Sequence, residues 1–434
     1  MGTMSVRFVT AVVVSLWLAA GVDDSFAAGL LGVSMAEPGA AGQPNGAGGV
    51  VASPVRSTAE TTSTTSAMKE WTFLIYLSGN NDLADSCVKN VNDMELVGSN
   101  DRVNVVVQLA TDRTTVTRRL IQRDEQADKV TSPIIEELAR QDMGVPETLE
   151  AFLRWGMERY PAKRFFVDIA GHGTGWMVMA DEPEIVRGVS YDYHSGHHLS
   201  VVQVGDVLRR VTRSLGRKID VLGYDACLMQ MAEVAVEVAD SCSYQIGSEE
   251  NESAYGWPYD RWLREVIAHP EWDGVNVGQS LVAAYQAHYA QWVSTISMVD
   301  LSKIDGLKTK IDAFSRALQA DPVARSKVKD ILGSIQSYEQ KSNKDVVDFV
   351  DQLLKKIDGG PVAEAGDSLR GFITRELVVA NAHTGLTMER SNGLAIWLPK
   401  EPIKEDQVLY GELRWAKDTL WDELIAGLVS SGER

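Results

Sequence analysis

The stretch IDVLGYDACLMQM, Ile219 to Met231, decides how the rest of the chain is read. Its first half is an apolar run with β-branched residues that stops at Gly223, Tyr224, Asp225, Ala226 and Cys227, after which Leu228 to Ala239 has the composition of a helix. This pattern predicts a strand-to-helix turn with Cys227 at its corner. A thiol there sits near the positive end of a helix macrodipole, which favours the nucleophilic thiolate. FFVDIAGHGTGW has the same form, an apolar strand from Phe165 to Ala170 running into Gly171, His172 and Gly173. Two parallel strands would carry both ends to one sheet edge, where open α/β sheets place their ligands.

A cysteine nucleophile needs a thiolate and a group that returns a proton to the leaving group. Histidine supplies both, and flanking glycines let ring and backbone approach a substrate. The bland alternative is a satisfied histidine in a glycine loop and an inert buried cysteine. Asp225, two residues before Cys227, falls on the same side of the pleat. A carboxylate beside a thiolate raises the thiol pKa, so its useful place is a pocket that receives a cationic substrate group; helix capping is its competing role. Cys87 and Cys242 read as small buried hydrophobes, and an odd count of three cysteines leaves at least one thiol free.

His194, His197 and His198 resemble metal ligands in type, but no Cys or Glu-x-x-His element accompanies them, and DEPEIVRGVSYDYHSGHHLS reads as a polar loop. A metal-dependent hydrolase built on that loop is a lesser reading. Glu249, Glu250 and Glu252 lack the spacing of a calcium loop and read as a solvated charge run or as pocket lining. The residues themselves require no cofactor. A net charge of −18 argues against a nucleic-acid partner, which draws on clustered Lys and Arg.

In chain order, Arg7, the apolar run Phe8 to Gly21 and the small residues Ser25, Ala27 and Ala28 form a secretory signal peptide over 1–27. That run is too short for a membrane span, and no later stretch is apolar enough for one, so the mature chain is expected to be exported. Residues 28–69, rich in Gly, Ala, Ser, Thr and Pro, are a linker or surface tether. WTFLIYL from Trp71, a helical pattern over Leu83 to Val97 and VNVVVQLA from Val103 predict strand, helix, strand and a mostly parallel sheet covered on both faces. Helices are expected over Pro146 to Tyr160 and Gln203 to Leu215, and strands over Tyr244 to Gly247 and Ser294 to Val299. Residues 70–300 form the α/β catalytic domain, and 301–434 a largely helical C-terminal region with a late strand in SNGLAIWLP and a closing helix over Leu409 to Leu428.

WTFLIYLSGNNDL, Ala-Gly-His-Gly at 170–173, Gly-Tyr-Asp-Ala-Cys-Leu-Met at 223–229 and SEENESAYGWPY together resemble the clostripain family of cysteine peptidases, relatives of caspases, gingipains and legumains. The resemblance runs from Trp71 to Val299, with NGLAIWLP in keeping. It implies a caspase-like α/β sandwich with Cys227 as nucleophile, His172 as general acid and base, and no third triad member. Asp225 would bind the P1 side chain, and the N–H groups of Gly173 and Cys227 would hold the oxyanion. The implied activity is cleavage of proteins or peptides after Arg, with Lys second. The resemblance also allows a calcium requirement and maturation by cleavage between the two strands, for which Arg187 is the candidate site. A catalytically inactive surface-binding module of the same fold is the rival from another class.

Overall fold

The computed structural model describes residues 68–111, 114–126, 128–178, 187–401 and 404–430. The segment expected to be a signal peptide and all but the last two residues of the expected linker lie outside the described residues. The chain opens with strand β1 (Lys69–Ser78), helix α1 (Ala84–Glu95), β2 (Val103–Ala110), β3 (Thr115–Leu120), β4 (Ile134–Ala139), α2 (Pro146–Arg159) and β5 (Ala162–Ala170). Three short strands follow, β6 (Gly173–Val178), β7 (Arg187–Asp192) and β8 (His197–Leu199), then α3 (Val201–Leu215), β9 (Ile219–Gly223), α4 (Ala232–Val238) and β10 (Cys242–Gly247). Helices α5 (Tyr259–Ala268) and α6 (Gly274–His288) lead to β11 (Ser294–Asp300); β12 (Asn343–Asp345), β13 (Val378–Thr384) and β14 (Ala395–Trp397) punctuate the helical remainder.

Nine strands form one sheet in the order β13-β11-β10-β9-β5-β1-β2-β3-β4. The five central strands, β10 to β2, are parallel, and an antiparallel pair closes each edge. Residues on successive positions of each central strand point to opposite faces. Leu74, Tyr76, Phe165, Val167 and Ile169 enter one core, while Phe73, Ile75, Leu77 and Phe166 enter the other. Burial on both faces explains the unbroken apolar runs in the sequence. The register Phe166↔Val221 and Asp168↔Gly223 sets the ends of β5 and β9 side by side, and so delivers the residues that follow each strand to the same edge.

The turn after β9 departs from the expected strand-to-helix corner. Helix α4 starts only at Ala232, because Leu228 adopts a left-handed φ of 62°, Gln230 N–H donates to the Ser248 carbonyl (3.0 Å), and Met231 bridges to Ala395. Tertiary pairing captures the peptide groups that would have begun the helix. The polar stretch before α3 likewise holds β7 and β8, whose Val189, Tyr191 and Leu199 are buried. The expected closing helix is three pieces, Lys404–Tyr410, Arg414–Asp418 and Trp421–Ser430, since carboxylates of Glu237 and Asp312 accept the N–H groups of Arg414 (2.7 Å) and Leu420 (2.8 Å). The segment after residue 300 adds β13 to the main sheet and packs Leu307, Phe314, Phe349, Trp397 and Trp421 into the first core.

Glu233 on α4 is fully buried, and its Oε1 accepts from Trp397 N–H (2.9 Å) and the Tyr410 hydroxyl (2.7 Å), tying the C-terminal segment to the helix that follows Cys227. Burial pushes its carboxyl up to about 7 despite those bonds. Between the unfolded value near 4.5 and 7 the folded chain keeps a proton that the unfolded chain has released, so stability falls as pH rises through that window. Thermal melts from pH 5 to 8 should show a decline that Glu233→Gln reduces by roughly 3 kcal/mol. A slope identical in the variant would remove Glu233 from the account.

Candidate active site

Loops at the ends of β5 and β9 enclose a cavity of about 120 Å³ whose lining includes His172, Asp225, Ala226, Cys227, Glu252 and Gly256, with Ser86, Cys87 and Asn90 of α1 opposite. The loops are stitched together: Gly171 N–H donates to the Asp225 carbonyl at 3.1 Å. A Cβ on Gly173 would lie 2.5 Å from the Cys227 carbonyl oxygen and 3.2 Å from its nitrogen. His172-Gly173 and Ala226-Cys227 are therefore in backbone contact, and any larger residue at 173 would force them apart.

Cys227 is partly buried, and its Sγ accepts from Glu252 N–H at 3.2 Å. Burial pushes the thiol up to about 11, and the charges of Glu250 and Asp225 add to the effect. With α4 displaced to Ala232, the helix dipole expected to favour the thiolate is not at the sulfur. The resting group is a thiol, which would need a base before it could act as a nucleophile. His172 is the imidazole at the same cavity; its Nε2 lies 2.7 Å from Asp82 Oδ1, and its ring stacks on Tyr193 with centroids 5.8 Å apart. Burial opposes ionisation of Asp82, yet hydrogen bonds from His172 and Tyr193 outweigh it and hold the carboxyl below its usual range. With Nε2 committed to Asp82, Nδ1 is the ring nitrogen left for chemistry.

Asp225 faces the cavity, 6% exposed, with Oδ2 accepting from Trp257 N–H (3.0 Å) and the Tyr259 hydroxyl (2.8 Å). The same hydroxyl reaches Asp168 Oδ2 at 2.6 Å. Glu252 hydrogen-bonds the Asp225 carboxyl, and its Oε2 accepts from Trp257 Nε1 at 3.0 Å. Three buried carboxyl groups cannot all ionise together. Burial, then the charge of Asp225, drives Asp168 up to about 8 and Glu252 well above the carboxylate range; burial raises Asp225 as well, but hydrogen bonds from Trp257 N–H, the Tyr259 hydroxyl and Glu252 favour its ionised form, so the negative charge of the trio falls most readily there.

The other sequence candidates do not converge on this cavity. His197 pairs with Asp142 (2.5 Å), and His198 stacks on Tyr191. His194 sits in the turn between β7 and β8, where its N–H donates to Asp192 Oδ1 (3.0 Å). Among the described residues, no group of three His, Cys, Asp or Glu side chains is placed to hold a metal ion. Glu249 is buried behind the site and accepts from Gly393 N–H (3.1 Å). Arg187 opens strand β7, where a loop was expected. All three cysteines are free thiols; Cys242 is core filling, whereas Cys87, though buried, lines the cavity. Asp82 and Asn90 are residues that sequence reasoning passed over, and Cys87 is one that it read only as core filling. Asp82 stands inside the SGNNDL loop, and its acidic type after an apolar strand was the available signal.

A parallel sheet with a thiol, an imidazole and a buried carboxyl group at one carboxyl edge defines a thiol-hydrolase type of site. The chain matches the family described as Peptidase C11, Clostripain family, over residues 75–426, and it belongs to that family of cysteine peptidases. Clostripain of Hathewaya histolytica is 28% identical over 99 residues, a segment that is 22% of this chain and 18% of that protein. The chain thus spans under a fifth of that curated relative's length. A secreted C11 cysteine protease from Bacteroides thetaiotaomicron, solved with an irreversible peptide inhibitor, shares the fold at 18% identity and a TM-score of 0.63, covering 81% of this chain and 99% of its own. An inactive zymogen C11 protease from Parabacteroides distasonis does so at 20% identity and a TM-score of 0.63, covering 81% and 98%.

If Asp82 fixes the ring of His172, alkylation of Cys227 by iodoacetamide at pH 7 should slow about tenfold in Asp82→Ala and further in His172→Ala. Equal labelling rates in wild type and Asp82→Ala would show that the ring is held by Tyr193 and its loop alone.

Proposed function

We propose that this chain is an exported cysteine endopeptidase that cleaves peptide bonds after Arg, with Lys second, through an acyl-enzyme on Cys227. The observation that carries the reading is the single cavity lined by Cys227, His172 and the buried carboxyl group of Asp225. His172 takes the Cys227 proton as Sγ attacks the scissile carbonyl carbon, and the imidazolium then protonates the departing amine. Water, deprotonated by the same ring, attacks the thioester and releases the acid, with the proton returning to the sulfur. The Gly173 and Cys227 N–H groups are the proposed oxyanion donors, a role supported by the contact between their peptide units. Asp225, with the protonated Glu252 beside it, forms the acidic end of the P1 pocket. A basic side chain would supply the cation that this buried carboxylate lacks. The signal-like segment over 1–27 supports export.

Cleavage after Arg187 is the proposed maturation step. Gly188 N–H donates to Thr174 Oγ1 at 3.1 Å, so the Arg187–Gly188 bond must leave that partner to enter an active site. Mass spectrometry of the purified full chain should find wild type cut after Arg187 and Cys227→Ala intact; an uncut, fully active wild type would make processing irrelevant.

On peptide amides with Arg at P1, Cys227→Ala should abolish turnover. Asp225→Asn, which keeps the shape of the side chain, should lower kcat/KM at least about a hundredfold. Turnover surviving in Cys227→Ala would sink the mechanism, and an equal loss on neutral-P1 peptides would remove Asp225 from the pocket role.

A further inference from the structure

We infer that Glu249 and Asp345 are positioning residues for Cys227, a buried acid pair that clamps the turn of the nucleophile to the C-terminal segment for as long as Glu249 keeps its proton. The inference rests on the proposed role of Cys227 and assigns that role a support outside the cavity, whose lining includes neither acid. Glu249 follows β10 and Asp345 ends β12, and both are buried. Consecutive peptide groups of one loop hold them: Asn392 N–H donates to Asp345 Oδ2 at 2.5 Å, and Gly393 N–H donates to Glu249 Oε2 at 3.1 Å. The two carboxyl groups are also hydrogen-bonded to each other.

Two carboxyl groups can share a hydrogen bond only if one of them retains its proton. The surrounding donors decide which. Asp345 accepts on both oxygens, from Asn392 N–H on Oδ2 and from Asn392 Nδ2 (3.0 Å) and Asp348 N–H (2.6 Å) on Oδ1. Glu249 accepts on Oε2, while its buried Oε1 has no donor on it. Ionisation therefore suits Asp345, and Glu249 Oε1 is the atom left to carry the proton. The charged groups nearby are engaged elsewhere: Arg390 pairs with Asp348 (3.0 Å), Lys341 Nζ donates to the Tyr338 carbonyl (2.9 Å), and Glu250 accepts from Glu339 N–H (3.0 Å). Lys344 precedes Asp345 on β12 and so points to the opposite face. The buried Tyr338 hydroxyl faces both acids, and burial together with the charge of Asp345 holds Glu249 well above the carboxylate range.

Glu249 sits in the middle of the backbone contacts that shape the Cys227 turn. The carbonyls of its neighbours Ser248 and Glu250 accept from Gln230 N–H (3.0 Å) and Leu228 N–H (3.2 Å), and Glu252 N–H reaches Cys227 Sγ. The loop that grips the two acids continues to Ala395, whose N–H donates to the Gln230 carbonyl at 3.0 Å. Leu228 is held at a left-handed φ of 62°, which is costly for a residue with a side chain and persists only where neighbours enforce it. While Glu249 is protonated, the pair joins this assembly to the C-terminal segment. Loss of that proton leaves two like charges in a dry interior, and their repulsion pushes the acidic loop off its anchor. Because the folded-state value of Glu249 is raised, the clamp is present at low and neutral pH and is lost as pH rises through that value.

The test follows kcat and KM on a peptide amide with Arg at P1 from about pH 6 to about pH 10, using the full chain. Wild type should lose activity on the alkaline side, chiefly in kcat, because a displaced nucleophile still permits binding but reacts poorly. Glu249→Gln donates the same hydrogen bond from an amide that cannot ionise, so its alkaline limb should lie at least about one pH unit higher. Glu249→Leu, which has no donor, should lose at least about tenfold in kcat at every pH. Coincident alkaline limbs in wild type and folded Glu249→Gln overturn the clamp, as does a wild-type kcat in Glu249→Leu. If a thermal melt shows that Glu249→Gln does not fold, Asp345→Asn, which removes the other charge, is read in the same way. A wild type without turnover sinks the peptidase reading instead. The clamp is then decided by iodoacetamide labelling of Cys227, whose rate should rise with pH along a different course in wild type and in Glu249→Gln over the alkaline range; parallel courses overturn it.

Discussion

The hydroxyl of Tyr259 lies between two buried carboxyl groups, 2.6 Å from Asp168 and 2.8 Å from Asp225, and the site depends on that arrangement. Asp168 lies near the end of β5, Asp225 just past β9, and Tyr259 opens α5 on the far side of the acidic loop. One hydroxyl proton cannot serve two carboxylates, so at least one of the acids stays protonated, and the three elements are drawn to a common point. Asp225 N–H closes the circuit onto Asp168 Oδ1 at 3.2 Å. A network of this kind has few alternative arrangements, because each partner left unpaired in a dry interior is costly. It fixes where Cys227, two residues on, must sit.

Glycine supplies the close approaches that the network needs. Gly173 presses on the Cys227 peptide, and Gly223 admits no Cβ because Trp257 Cη2 would lie at 2.8 Å and Phe166 Cε1 at 3.0 Å. Trp257 in turn donates its backbone N–H to Asp225 and its indole N–H to Glu252. The packing that buries the aromatic ring and the polar contacts that orient the acids are thus the same residue seen from two sides. The C-terminal segment backs this assembly, since Gly393 reaches Glu249 and Trp397 reaches Glu233.

Much of this was legible in the sequence where the physics is local. Continuous apolar runs announced the central strands, since a strand buried on both faces has no polar side to show. The glycine-punctuated ends at His172 and Cys227 marked one sheet edge, and the C11 match accords with a cysteine-peptidase scaffold. What escaped was set by distant partners. The contact between Asp82 and His172 spans 90 positions, and no local pattern encodes it. Strand β4, IIEELA, alternates weakly and carries two glutamates, so it did not read as a strand. The helix forecast at Leu228 failed because Ser248 and Ala395 claim the peptide groups that follow Cys227. Cys87 read correctly as buried, but burial in a core and burial in a pocket wall have the same composition.

The displaced helix changes how Cys227, as the proposed nucleophile, would have to work. Without a dipole at the sulfur, and with Glu250 and Asp225 nearby, Cys227 rests as a thiol pushed up to about 11. The Glu252 N–H on Sγ favours the thiolate, but burial outweighs it. On the proposed reading, a cation entering the cavity acts in two ways at once: it offsets the charge of Asp225 and brings a positive charge toward the sulfur, and both favour proton loss to His172. A neutral side chain in the same cavity would leave the carboxylate unpaired and the thiol protonated. Selectivity for the side chain and activation of the nucleophile would then share one electrostatic origin, because the carboxylate that disfavours the empty, ionised site is the group that the correct substrate neutralises.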